Sequence, residues 1–580
     1  MRMHVAVAAL VVLVTLATSV SAVEVKEKWV YYSGGGRSSQ GAFPDDFIAF
    51  MKDAKALGVT HIQFNGSEPP RTGEIPKDYL DNAKKALDAA KEMGITIVPG
   101  VYPVGYSGGF LGQDPNLASG IPVRDARFVV KDGVARPDPA GAPFVQNGSF
   151  DDADGDTLKG WTKQDLPGVN SFVDRETKHG GAASVKFTAL DKLPASVNGD
   201  CRVSQILKVT PFQNYRLSVW TKTDAIDAER EDYLILRSPM NVRRYCYSNF
   251  RVRPPQDWTL QSVTFNSLEA TEIELSVGVS TAKSGTIWFD DLTIEPAGLA
   301  DVVRREITPL TVTSLDKSVT YVEGKDFEPI PGGVFTRYRR GEAPEVPPIP
   351  GITLTSDSRM KNGDTILVSF FHTTRIYDSQ MVISIQDPKV FDMMDEQMKR
   401  MSEAWPTNAY FMKYDEIRIG GWEVQPAGEK LTLGQMLARH VSRGVSIIKK
   451  YAPDAKIYVW SDMFDPFHNG RPFAARNGYY YLCNGNWDGS WEGLPKEVGI
   501  MNWNGTENAA KSLQWFAGRG YTQIIAGYYD GDPKENIATW MKASEGVPNI
   551  VGMMYTTWRR DYAKMPEFFQ ILKDWPEPAK

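Results

Sequence analysis

Two adjacent carboxylates, Asp415 and Glu416, close the apolar, aromatic-rich run Tyr410-Phe-Met-Lys-Tyr414 and are followed by Ile417-Arg418. Such a run ending in charge is how a buried parallel strand delivers catalytic groups to the rim of a barrel. Consecutive strand residues point to opposite faces, so the two acids act together only where the strand breaks into its loop. Acids at one strand end repel each other and raise at least one pKa, which suits a general acid at neutral pH. Taken alone, the pair reads first as a solvated loop, or as Asp415 capping the next helix.

What moves that reading is the ends of the other apolar runs. One closes in Trp460-Ser-Asp462 with Asp465 behind it, and another in Asn502-Trp503-Asn504. A third closes in Gly527-Tyr528-Tyr529-Asp530, and the last in Thr556-Thr557-Trp558 with Asp561 following. Flat aromatic walls against pyranose faces, with carboxylates bonding hydroxyls or moving protons, make a sugar subsite. The partner expected is therefore an oligosaccharide or polysaccharide.

These ends belong to an interrupted helix-strand alternation. Strands at 29–33, 61–65 and 96–101 alternate with helices at 45–57 and 79–93. The rhythm returns near Lys389, with strands at 410–414, 456–460, 498–503, 523–526 and 550–555 between helices. Three strands plus five make the eight βα units of a TIM barrel, an α/β fold with its chemistry at the carboxyl-terminal rim. The expected organisation is a first barrel part over 23–143, an all-β sandwich over 144–297, a small β accessory element with a Pro-rich linker over 298–372, and a second barrel part over 373–580.

The sandwich opens with Asn147-Gly-Ser-Phe150 and Trp161, and closes with Trp288-Phe-Asp-Asp-Leu-Thr-Ile294. These ends resemble carbohydrate-binding modules of the family 4, 9 and 22 type. The resemblance implies a structural Ca²⁺ near the closing Asp pair, with Asp291 as a ligand. No cofactor is expected for catalysis.

The order Asp-Glu on the fourth strand, Trp on the fifth and sixth, Tyr-x-Asp on the seventh and Trp on the eighth resembles glycoside hydrolase family 20, the β-N-acetylhexosaminidases. By that resemblance Glu416 is the general acid/base, and Asp415 orients the 2-acetamido group and steadies an oxazolinium intermediate. Trp460, Trp503 and Trp558 wall the subsite, Tyr528 bonds the acetamido oxygen, Asp530 holds a ring hydroxyl, and Asp462 lies among the binding groups. Arg37, after Gly34-Gly-Gly36, is the available cation for distal hydroxyls. The chain departs from the family where Phe411-Met-Lys-Tyr414 precedes the acids and where Trp558-Arg-Arg-Asp561 replaces Trp-x-Glu. Two other readings stay open: a retaining glycosidase with Asp415 or Asp462 as carboxylate nucleophile, and a glycan-binding barrel without catalysis.

Composition narrows the alternatives. The chain has 580 residues, too many for one core, and a net charge of −6 without a basic face, which argues against nucleic acid. Arg2, the apolar run from Val5 to Ala17 and Val20-Ser-Ala22 read as a cleavable export signal over 1–22, so a secreted or periplasmic protein is expected, with no membrane span. Cys201 and Cys246 share the β-rich region and could pair in an oxidising compartment, while Cys483 reads as a buried thiol. The six His are scattered without metal-ligand spacing, His372 and His468 being the hardest to assign. Asn-x-Ser/Thr at Asn65, Asn147 and Asn504 reads as chance.

Overall fold

The computed structural model describes residues 25–33, 43–194, 200–228, 233–239, 243–248, 255–280, 282–333, 346, 348–376, 380–470 and 480–573. The 1–22 segment and Arg37 lie outside the described residues. Eight parallel strands close into a barrel: β1 (Glu27–Tyr32), β2 (His61–Phe64), β3 (Thr96–Val101), β4 (Ala409–Met412), β5 (Lys456–Trp460), β6 (Gly499–Asn502), β7 (Gln523–Tyr528) and β8 (Ile550–Thr556). Each pairs with its successor, and β8 returns to β1 with Val30 opposite Tyr555. Between β3 and β4, which meet at Gly100 and Phe411, the chain runs through residues 102–408.

The strands are apolar on both faces because one fills the barrel and the other meets helices. Trp29, Tyr31, Phe411, Tyr458, Trp460, Met501 and Met554 pack the interior as side-chain layers. The covering helices carry their own stop and start signals. Lys77–Met93 ends at Gly94, whose left-handed φ of 64° supplies the turn into β3. Leu433–Tyr451 opens on a reciprocal capping box between Thr432 and Gln435, which satisfies two backbone donors at once. Asp387 and Asp532 cap the helices Pro388–Ala404 and Pro533–Ser544 by a single side-chain bond, accepting from Lys389 N and Glu535 N, each with Pro in the first turn.

Among the described residues, the long excursion between β3 and β4 holds three antiparallel pairings of different size. A sandwich comprises two five-stranded sheets; Asn214–Ala228 and Ala282–Pro296 form the centre of one, and Cys201–Lys208 and Glu272–Val279 lie within the other. A further sheet is built around Thr365–His372. Its partner on one side is Ile121–Lys131, which in turn pairs Val134–Pro137. Sequence division at 143 groups those two strands with the first barrel part; their hydrogen bonding places them in the accessory sheet, which is therefore assembled from segments on both sides of the sandwich. The smallest body is a two-stranded pairing of Ala153–Asp154 with Thr157–Leu158.

Cys201 and Cys246 are both buried and not disulfide-bonded. They stand on the first and last of four successive strands in one sheet, since Cys201–Lys208 pairs Glu272–Val279, which pairs Leu234–Arg237, which pairs Arg244–Ser248. Three strand spacings of about 4.8 Å exceed the roughly 7 Å Cα separation a disulfide tolerates. Sharing a β-rich region in sequence did not bring the thiols together. Cys483 is buried too, and burial pushes its thiol well up.

Candidate active site

The end of β4 sets the arrangement. Phe411 fills the barrel, Met412 faces the helices, Lys413 turns to the rim, and Tyr414 points outward to bond His440 Nδ1 at 2.9 Å. Alternation then returns Asp415 to the mouth. Lys413 Nζ is held by Glu68 at 2.6 Å and by Asn65 at 3.0 Å, both in the loop after β2. Asn65 also donates to the Tyr31 hydroxyl at 2.9 Å. Its amide is thus engaged in the mouth.

Glu416 takes a left-handed φ of 50°, an uncommon conformation for a residue with a Cβ, and so escapes strand alternation. Its carboxylate pairs with Arg418 Nη2 at 2.7 Å and accepts a hydrogen bond from the Tyr106 hydroxyl. Its amide donates to Asp462 Oδ2 at 2.9 Å. Gln380 Nε2 donates to the carbonyls of both Gly105 and Glu416 at 2.9 Å, while its carbonyl oxygen accepts from Arg418. Gly105 lies so close that any Cβ there would collide with the Asp415 carbonyl oxygen.

Asp462 is fully buried in the turn after β5. Besides Glu416, it accepts from Asn469 Nδ2 at 2.9 Å and from Trp503 Nε1 at 3.2 Å. Burial, with the neighbouring Asp415 charge, pushes its carboxyl up to about 8. Burial and the Glu416 charge likewise push Asp415 up to about 7. Three carboxyl groups thus share one mouth, and the pair of aspartates retains a proton near neutrality.

Aromatic rings close the mouth. Trp460 forms the floor, buried and edge-on to Phe411 at 5.0 Å. Trp558, 45% exposed, stands at the rim 6.2 Å from Trp460 and edge-on to Tyr31 at 4.9 Å. Trp503 lies parallel to Tyr529 at 6.0 Å and meets the His468 ring at 4.3 Å. His372 lies elsewhere, buried and bonded to Asn266 at 3.0 Å where the sandwich meets the accessory sheet, and burial lowers it to about 4.

Tyr528 is not in this wall. It stacks on Tyr555 at 4.2 Å among residues that meet the outer helices. Ile524 and Ala526 face inward, so alternation alone would bring Tyr528 into the mouth. The backbone instead turns left-handed at Tyr528, Tyr529 and Asp530, with φ of 72°, 56° and 60°, and Tyr529 takes the inward place. Burial pushes the Tyr529 phenol well up, with Glu416, Asp462 and Asp415 all adding to the rise. Asp530 is occupied by the protein: it accepts from Trp558 N at 2.8 Å, Arg559 N at 3.2 Å and the Thr557 hydroxyl. Its evident work is to hold the Trp558 turn.

The structure therefore brings together Asp415, Glu416, Asp462, Trp460, Trp503 and Trp558. It adds Tyr106, Gln380, Arg418 and Tyr529. Arg418 was visible in sequence two places after Glu416. Tyr106 and Gln380 carried no signal, because they reach the site from the two ends of the excursion. In the sandwich, Asp291 Oδ2 lies 2.7 Å from His179 Nδ1. Among the described residues no cluster of three or more His, Cys, Asp and Glu is arranged to hold a metal.

No protein-family model matches the chain, and no curated protein matches it in sequence. Among solved structures, a rhamnosidase from Novosphingobium sp. PP1Y is similar over 94% of this chain and 56% of its own, at 10% identity and a TM-score of 0.31. A family 4 carbohydrate-binding module is similar over 26% of this chain and 99% of its own, at 17% identity and a TM-score of 0.20. A family 16 carbohydrate-binding module matches 26% of this chain and 97% of its own, at 21% identity and a TM-score of 0.18.

Proposed function

We propose that this chain is a glycoside hydrolase whose substrate lies across the carboxyl-terminal mouth of the barrel. The observation that carries this reading is three carboxyl groups, Asp415, Glu416 and Asp462, gathered in one mouth with Trp460, Trp503, Tyr529 and Trp558. Glycoside hydrolysis needs a proton donor for the leaving oxygen and a carboxylate against the oxocarbenium-like charge. Glu416, ion-paired with Arg418, supplies the carboxylate. Asp415, raised to about 7 and bonded by no described side chain, supplies the proton. This reverses the division of labour that the family resemblance implies. Asp462 is fully engaged by protein donors and keeps a proton in the pair rather than touching the sugar.

A second reading keeps the resemblance: a 2-acetamido sugar whose own carbonyl oxygen attacks the anomeric carbon. It is favoured by Asp415 and Tyr529 sharing the mouth, where the Asp415 charge helps raise the phenol. A carboxylate to take the amide N–H and a phenol to donate to its carbonyl would grip an acetamido group from both ends. An aryl-glycoside screen, including N-acetylglucosaminide and N-acetylgalactosaminide, separates the readings when run on wild type, Asp415→Asn and Glu416→Gln. Loss of about 10²–10⁴-fold in both variants supports hydrolysis, and turnover confined to acetamido sugars supports the second reading. Undiminished turnover in both variants would overturn the assignment.

Export through the 1–22 segment belongs to the same proposal. So does Ca²⁺ in the sandwich with Asp291 as a ligand: the Asp291 and Asp151 carboxylates flank the adjacent Gly180 and Gly181, and paired carboxylates suit a hard cation, although the Asp151 carboxylate already accepts from Ala182 N and Ala183 N.

A further inference from the structure

The inserted sandwich touches the barrel beside the catalytic pair. Arg243, 3% exposed, leaves the sandwich just before the strand Arg244–Ser248 and reaches into a barrel loop. Its Nε donates to the Tyr481 carbonyl at 2.8 Å and its Nη2 to the Cys483 carbonyl at 2.6 Å. Its Nη1 returns to Glu269 of the sandwich at 2.8 Å. A buried guanidinium with two backbone carbonyls on one side and its own carboxylate on the other is a clamp, since removing it strands buried acceptors.

What the clamp holds matters. The Tyr481 ring lies under the Arg418 guanidinium, 4.9 Å from its carbon, and Arg418 is the partner of Glu416. Tyr247, on that sandwich strand, meets the Tyr481 ring at 5.9 Å. Burial raises its phenol, opposed by the Arg418 charge and assisted by Tyr481 and Glu416, as befits a group sunk into the same cleft.

We propose that the sandwich is a fixed wall of the barrel's mouth, in which Arg243 positions the Tyr481–Cys483 segment and Tyr247 helps decide which glycans fit beside Arg418 and Glu416. The proposal rests on the hydrolase reading for its kinetic consequence, but not for its structural one. A module tethered only for targeting would leave the site unchanged when loosened. A wall would not.

The test uses the full chain and two independent readouts. Backbone hydrogen exchange, followed by mass spectrometry, is compared in wild type, Arg243→Ala and Arg243→Lys. The inference expects protection at 480–484 to fall at least tenfold in Arg243→Ala, to be partly restored in Arg243→Lys, and to be unchanged in strands β6 to β8. Unchanged protection at 480–484 in a folded Arg243→Ala overturns it. If Arg243→Ala does not fold, Arg243→Lys and Tyr247→Phe carry the test. On aryl glycosides, Tyr247→Phe is expected to raise KM severalfold and alter the ranking of leaving groups, with kcat little changed. Lys222→Ala, on the sandwich's other sheet, is expected to alter neither. Identical kinetics in Tyr247→Phe and wild type overturn its role. A wild type that turns over no glycoside sinks the hydrolase reading, while the exchange result still decides the clamp.

Discussion

The backbone amide of Glu416 donates to the Asp462 carboxyl at 2.9 Å, joining the end of β4 to the end of β5. That bond makes Asp462 a support on which the left-handed turn at Glu416 rests. It also brings a buried acid against Asp415, so that neither aspartate ionises independently of the other.

Activity is expected to fall as pH rises through the range of about 7 to 8, where the aspartate pair gives up its proton. A general acid must be protonated to act, so the alkaline limb of kcat/KM reports that loss. Asp415→Asn should abolish the limb along with most of the rate. A wild-type profile flat from pH 6 to pH 9 would remove the acid role from this pair.

Stability should follow the same groups. A carboxyl raised from its ordinary value of 3.8 to about 8 contributes stability that is intact below the unfolded pKa and lost as pH rises through the folded one. Asp462→Asn keeps the acid's shape and one acceptor oxygen for Glu416 N and Asn469, but its amide nitrogen cannot accept from Trp503 Nε1. Its Tm should lie below wild type at pH 5 and gain on wild type as pH rises to 9. Thermal unfolding at the two values checks this, and a variant that falls further behind wild type at pH 9 would contradict it.

Tyr529 and Tyr528 provide a direct contrast. Tyr529→Phe removes a hydroxyl from the mouth and should lower kcat/KM by about tenfold or more, the scale of one hydrogen bond to a charged or reacting group. Tyr528→Phe acts on the helix side of β7 and should leave the kinetics within about twofold, with any effect confined to Tm. Equal losses in both would place the wrong tyrosine in the site.

Gly105→Ala should inactivate without unfolding the barrel, since the added Cβ meets the Asp415 carbonyl oxygen rather than a movable side chain. Circular dichroism should stay near wild type while turnover falls by about 10²-fold, the usual cost of displacing catalytic groups by about 1 Å. Full activity in this variant would mean that the loop after β3 does not set the position of Asp415.

Asp530→Ala tests the Trp558 turn. Two amides and a hydroxyl lose their acceptor. KM should rise severalfold as the exposed ring loses its fixed orientation, and Trp fluorescence should report a more mobile indole. An unchanged KM with altered kcat alone would instead give Asp530 a direct part in the chemistry.

Much of the barrel was legible because strands buried on both faces must be apolar throughout, and their ends are marked where polarity returns. That is why Asp415, Glu416, Trp460, Trp503 and Trp558 could be placed on one rim from their order alone. Tyr528 misled for a physical reason: three successive left-handed residues break the alternation that sequence reading assumes. The work of Asp530 in holding the Trp558 turn gave no signal in sequence, because a half-buried acid at a rim looks the same whether it faces solvent or caps a neighbouring turn. Arg243 and Tyr247 were unreadable, being distant in sequence and meaningful only once the sandwich is docked.

The bridge made by Gln380 has a consequence for how the protein comes into being. It bonds the carbonyls of Gly105, where the chain departs the barrel, and of Glu416, soon after it returns. The excursion's two ends therefore meet at the Asp415–Glu416 pair itself. A nascent chain holds three strands with an open edge until the intervening bodies are complete and β4 arrives. If the pair works as proposed, activity is expected only after that seam between β3 and β4 has formed.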